Sequence, residues 1–324
     1  MRVDGYPEIF PISLGSIKRS AIHSAIRLPV KRNILNTDTS GRGVGIGNCV
    51  YWSVTCKEKK METAIFLGID KIIERVDSFK VEPEFSYEIQ LRKNNKVPEN
   101  LTDNQIIEIF TKLIAYSQNA NSKLVEGVLK SGILKEIFAN YDIDEIIKLN
   151  PCDLADDYWD QIGGIRQQAK LFHIVSLARK IKRIGSFHKL LIDTEIPKEI
   201  RSSDDIEKFW IGFKNLKKIT ERNKIPFFRS TISLLHFLLE TGYDCIKPDL
   251  AVMKVALKLK IIENVIGDEN LIRTVRTVQE YSLIRGLRPS VVDLYFLIDG
   301  AQLGAKKFVD NQFYEEKIPA GNTI

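Results

Sequence analysis

The chain has 324 residues, 44% of them hydrophobic and 28% charged, with a formal net charge of +6. This is the composition of an ordinary soluble protein, long enough for one large domain or two smaller ones. No apolar run approaches a membrane span, and "MRVDGYPEIFPISLG" lacks the basic-then-apolar order of a signal peptide. With Cys49, Cys56, Cys152 and Cys245 scattered without pairing logic, a cytoplasmic protein with reduced thiols is expected.

Residues 1–98 read as a mixed α/β segment. "SIKRSAIHSAIRL" places Ile17, Ala21, Ile22, Ala25 and Ile26 on one helical stripe. The glycine run "GRGVGIG" at 41–47 follows no apolar strand and is closed by no Lys-Ser/Thr, so it reads as a flexible loop and not as a phosphate loop. "METAIFLGIDKIIERV" starts strand-like and ends helix-like, and "SFKVEPEFSYEIQLRKN" alternates as an edge strand would.

From Leu101 the pattern is helix after helix. "LTDNQIIEIFTKLIAYSQ" opens on Thr102 or Asp103 as a cap and carries Ile106, Ile109, Phe110, Leu113 and Ile114 on one face. "NSKLVEGVLKSGILKEIFANY", "DIDEIIKLN", "PCDLADDYWDQIGG", "IRQQAKLFHIVSLARKIKRIG" and "SSDDIEKFWIGFKNLKKITERN" follow, separated by short Gly, Asn-Pro and Ser-Ser-Asp breaks. The expected organisation is a helical domain over 99–315 and a tail over 316–324, with no internal repeat.

One stretch, "DCIKPDLAVMKVALKL" at 244–259, raises a sharper question. Pro248 ends the preceding segment, and Asp249 then stands at the N-terminus of an apolar helix, with Lys247 before it and Lys254 and Lys258 after it. A helix cap is the plain reading of Asp249. Basic residues gather nearby in "ARKIKRIGSFHK", "FKNLKKITERNKIPFFR" and "LIRTVRTVQEYSLIRGLRP". Runs of that kind are often solvated faces, but three of them around a predicted helix–turn–helix fit phosphate contacts.

In chain order, "LIAYSQNANSK", "DQIGGIRQQAKLFHIVSLARKI" and "IPFFRSTISLLHFLLETGYDCIKPDLAVMKVALKL" resemble the helix–hairpin–helix superfamily of DNA glycosylases. The likeness covers roughly two thirds of the chain. "SQNANSKLVEGVLK" and "FFRSTISLLHFLLETG" are similar to segments of the 3-methyladenine DNA glycosylase I branch. The segment from Pro248 resembles the endonuclease III and 3-methyladenine glycosylase II branches, in which an aspartate before an amphipathic helix is catalytic.

The resemblance implies a mainly α, helix–hairpin–helix glycosylase fold that binds double-stranded DNA as a monomer and flips out a damaged or modified base. It makes Asp249 the catalytic carboxylate, so that cap and catalyst coincide. Gln118, Asn119 and Asn121 would fill the gap left in the duplex, although "QNAN" also suits a helix C-cap. Arg229, Ser230, Thr231, Lys247 and Lys254 would contact DNA. Ala115 and Lys123 stand where the 3-methyladenine branch reads its base with Glu and Trp, so that specificity does not carry over. Tyr116 and Trp159 join them as base-pocket candidates. Tyr158, Trp210 and Phe228 are stacking candidates with core packing as the alternative, and His173 and His236 read as core.

The chain departs from the family in three ways. The usual Gly-Val-Gly hairpin reads Phe227-Phe228-Arg229. The position of the Schiff-base lysine, eighteen residues before the aspartate (249 − 18 = 231), holds Thr231, so no lyase activity is expected. The iron–sulfur cysteines are missing and no Cys/His set has zinc spacing, so no cofactor is expected. A phage-defence enzyme excising hypermodified, for example glucosylated, bases and a non-catalytic DNA-binding protein stand as alternatives.

Overall fold

A computed structural model describes residues 47–117 and 121–316, with side chains from Met61 onward. The helical stripe at 17–26, most of the glycine run, the proposed gap-filling residues Gln118 and Asn119, and the tail from 317 lie outside the described residues. The chain divides into Met1–Tyr51 and Trp52–Ile324, and the packing that forms the core lies within the second unit.

The described residues form the helices α1 (Gly47–Phe79), α2 (Glu84–Asn94), α3 (Asp103–Tyr116), α4 (Ser122–Ser131), α5 (Ile133–Ile137), α6 (Ile143–Ile146), α7 (Pro151–Ile162) and α8 (Ala169–Ile184). These are followed by α9 (Phe187–Asp193), α10 (Ser203–Arg222), α11 (Thr231–Thr241), α12 (Leu250–Lys258), α13 (Asp268–Arg285), α14 (Pro289–Asp299) and α15 (Gln312–Glu315). Among the described residues no strand is present, and extended pairing is confined to an isolated bridge between Lys80 and Val309. The mixed α/β reading of the N-terminal segment is therefore corrected over 47–98. "METAIFLG" belongs to α1, and the alternating "FSYEIQLRKN" is the helix α2, of which Phe85 alone is buried. So short a helix with one buried anchor shows no clean period, and a strand-like alternation was its strongest local signal.

Local chemistry sets the boundaries where the sequence signals them. Thr102 and Gln105 form a reciprocal capping box at the start of α3. Asn150 caps α7 ahead of Pro151, and Ser202 caps α10. Gly132 ends α4 with φ 78°, a left-handed conformation suited to glycine. The helix α9 was not signalled in the sequence. It starts where Ser186 accepts from the Lys189 amide and Asp103 accepts from the amides of Phe187 and His188.

Two packing centres support the site. In the first, the ring of Phe110 on α3 meets those of Phe187, Phe228 and Phe237 at 5.2, 4.0 and 4.4 Å between centroids. In the second, α14 is buried almost all round, with Val292, Leu294, Phe296 and Ile298 fully enclosed. α1 joins it through Arg75, which pairs with Asp299 on α14 at 3.5 Å, and α2 through Arg92. Residues 61–94 thus share one hydrophobic core with the helices that follow.

Candidate active site around Asp249

Asp249 is the N-cap of α12. Its Oδ1 accepts from the amides of Ala251 (3.0 Å) and Val252 (3.2 Å), two of the donors that a helix N-terminus leaves without intrahelical partners. Its Oδ2 faces the Lys247 ammonium at 3.8 Å, outside hydrogen-bond distance. The carboxylate is half-buried, with 22% of the side chain exposed, and Oδ1 is the oxygen that the two amides anchor.

The segment that delivers Asp249 is held along its whole length. Gly242 ends α11 with φ 101° and lies against the backbone of Lys96 and Val97. Asp244 is buried. Its side chain accepts from the Ile200 amide and pairs with Arg288 at 2.7 Å, while its carbonyl accepts from Gln279 at 2.9 Å. Cys245 and Ile246 are fully buried. The Lys247 amide donates to Asp293 Oδ1 at 3.2 Å, and Asp293 Oδ2 accepts from Arg92 at 2.9 Å. Such a segment has few conformations open to it, and the carboxylate at its end is placed before any ligand arrives.

Further charges surround this point. On α11, His236 Nε2 lies 3.6 Å from Glu240. Burial pushes the His236 imidazole below its ordinary value, Glu240 opposes that shift, and Lys247 adds to it. Tyr116, at the end of α3, is 41% exposed. Burial raises its hydroxyl pKa, and the charges of Glu126 and Glu240 add to the effect, so it lies within electrostatic range of α11. A hollow of about 500 Å³ opens between α2, α11 and α14, lined by Glu88, Leu91, Asn94, Asn95, Glu240 and Ser290 among others.

The helix–turn–helix preceding the site is α10, a connection over 223–230, and α11. In place of glycines it carries Phe227 with φ 68°, and Phe228 is fully buried against Phe110. Phe228 is therefore core. Arg229 is exposed, and Ser230 caps α11 by accepting from the Ser233 amide at 3.1 Å. Thr231 does not present a side chain for phosphate. It is 2% exposed and its hydroxyl donates to Asp268 at 2.7 Å. Lys254 is exposed on α12.

The other expected positions are dispersed. The Ala115 side chain is fully buried in the core, which removes it from any base pocket. Asn121 caps α4, accepting from the amides of Lys123 and Leu124, and Lys123 is exposed in that first turn. Trp159 is half-buried beside the Gly163 turn, and Tyr158 is also half-buried. Trp210 is core, donating to Gln279 at 3.0 Å.

Sequence reading missed Arg92, Asp293 and Lys170. Asp293 and Asp299 are carboxylates inside the apolar "SVVDLYFLID", and that anomaly signals buried pairing. Lys170 is fully buried, and its ammonium donates to the carbonyls of Ala115 (2.9 Å), Ser117 (2.9 Å) and Ile165 (2.7 Å). Burial, with Arg166 adding repulsion, pushes it down to about 8, and three acceptors match its three protons.

Among the described residues no group of three or more His, Cys, Asp or Glu is arranged to hold a metal ion, and no helix is long and apolar enough to cross a membrane. Comparison of the chain with family models, curated proteins and solved structures returned no match.

Proposed function

We propose that the chain is a monofunctional DNA glycosylase of the helix–hairpin–helix type, with Asp249 as its catalytic carboxylate. The observation that carries this reading is the state of Asp249. A rigidly delivered carboxylate has Oδ1 anchored by the α12 amides and Oδ2 directed at Lys247 from 3.8 Å, outside hydrogen-bond distance, with 22% of the side chain exposed. In excision, the bond between C1′ and the base nitrogen breaks and its electron pair leaves with the base, which takes up a proton. Positive charge grows on the sugar, where Oδ2 stabilises it and accepts a proton from the attacking water.

The base must leave the stack to reach this carboxylate. Tyr116 offers an exposed aromatic ring for stacking, and a hollow with mixed polar and apolar lining opens beside Glu240. Exposed Arg229, Lys254 and Lys123 supply phosphate contacts, and Ser230 opens α11 at the hairpin. Thr231 stands where strand-cleaving relatives of such enzymes carry lysine, and it is engaged with Asp268, so no Schiff base forms there.

The test is abasic-site formation on alkylated, deaminated and hypermodified phage DNA, with and without alkali. Wild type is expected to give alkali-dependent breaks on one substrate class, and Asp249→Asn to fall by about 100-fold or more. The substrate class that responds separates repair from phage defence. No breaks on any substrate, with both proteins still binding DNA equally, would leave Asp249 as a helix cap in a DNA-binding protein.

A further inference from the structure

The carboxylate at 293 needs an explanation that packing alone does not give. Asp293 sits on α14, of which nearly every residue is buried, with 1% of its side chain exposed. Burying a charge there is strongly unfavourable unless partners compensate it. Two do so: Oδ1 takes the Lys247 amide and Oδ2 takes Arg92. Arg92 in turn donates to Glu88 at 2.8 Å and to the Ser290 carbonyl at 2.8 Å, so it is fixed from both α2 and α14. Burial raises the Asp293 carboxyl above its ordinary value. Arg92 opposes that shift, and the charge of Asp249 adds to it, which places the two carboxylates within each other's field.

We propose that Asp293 and Arg92 are positioning residues for Asp249, Asp293 by gripping the Lys247 amide and Arg92 by holding Asp293 in place. The inference rests on the glycosylase reading of Asp249 and extends it to α2, a helix outside the segments that carry the family likeness. Between the grip at Lys247 and the α12 amides lie Pro248, which has a fixed φ and no amide hydrogen, and Asp249 itself. The Asp249 amide closes a tight turn onto the Lys247 carbonyl at 2.8 Å. Any shift of the Asp293 carboxylate therefore passes from Lys247 to Asp249 through Pro248, whose φ is fixed. A displacement of about 1 Å at a reacting group costs about 100-fold in rate.

The experiment compares wild type, Asp293→Asn, Arg92→Gln and Arg92→Lys in single-turnover excision on the substrate that wild type attacks, with DNA affinity measured by anisotropy. Asp293→Asn and Arg92→Gln are expected to slow excision by about 10- to 100-fold while the DNA Kd stays within about twofold, and Arg92→Lys to regain part of the rate. Rates within about twofold of wild type in both folded variants would overturn the proposal. Hydrogen exchange at the Lys247 amide gives a readout independent of activity. It should quicken by about tenfold or more in Arg92→Gln, and unchanged exchange there would overturn the grip even if Asp293→Asn failed to fold. If wild type excises nothing, the glycosylase reading falls and the exchange result alone decides whether the grip exists.

Discussion

At the residue scale, Asp249 and Lys170 show how a side chain can hold local geometry and a site together. Asp249 caps α12 with one oxygen and offers the other, so Asn at 249 keeps the cap and loses the charge. For this reason Asp249→Asn separates chemistry from folding better than Asp249→Ala, which also removes the cap. Lys170 closes the end of α3 against the Gly163–Ile165 turn by donating to three carbonyls, one of them on Ser117 beside the proposed gap-filling loop. Lys170→Met keeps much of the volume but leaves those carbonyls without a donor. The expected loss is about 2–4 kcal/mol, read as a lowered urea midpoint. A stability within about 0.5 kcal/mol of wild type would show that water replaces the ammonium.

At the element scale, the connection between α11 and α12 matters more than either helix. Gly242 has φ 101°, and a Cβ there would lie 2.5 Å from the Lys96 carbonyl carbon. Gly242→Ala therefore combines left-handed strain with a backbone clash. It is expected to destabilise the fold by about 2–3 kcal/mol or more, measured by thermal melting. Arg288 explains the sensitivity. Its guanidinium reaches Asp244, the Gly242 carbonyl and the Asn95 carbonyl, stitching the connection to the segment after α2. The hairpin between α10 and α11 follows the same logic with different chemistry. Glycine would give a close backbone approach, whereas Phe228 fixes this turn by burying a ring against Phe110.

At the scale of the whole molecule, the net charge of +6 is modest, and its placement matters more than its total. Many basic side chains are paired internally: Arg75, Arg92, Lys217, Arg276, Arg285 and Arg288 all meet carboxylates. Arg229 and Lys254 are exposed near the hairpin and α12. Arg229→Ala and Lys254→Ala are each expected to weaken binding alike for modified and unmodified DNA. Each should lower the slope of log K against log salt by about 1, measured by anisotropy titrations at several salt concentrations. Of the basic run "LIRTVRTVQEYSLIRGLRP", Arg276, Arg285 and Arg288 are tied to Glu207, Asp70 and Asp244, so most of that run serves the fold.

Legible in the sequence alone were the helical character from Leu101 onward, a cap at Thr102 or Asp103, and the stop at Pro248 with Asp249 as cap. Each depends on residues within a few positions of one another, where hydrogen bonds close over three or four residues and side-chain periodicity is fixed by the backbone. Tertiary structure alone decided that α2 is a helix of the core, that Ala115 and Thr231 face inward, and that Asp293 grips the approach to Asp249. Arg92 and Asp293 are 201 residues apart, and no local rule relates them. Their pairing exists because α2 and α14 pack together, and a charge buried by that packing must find its partner wherever the fold brings one.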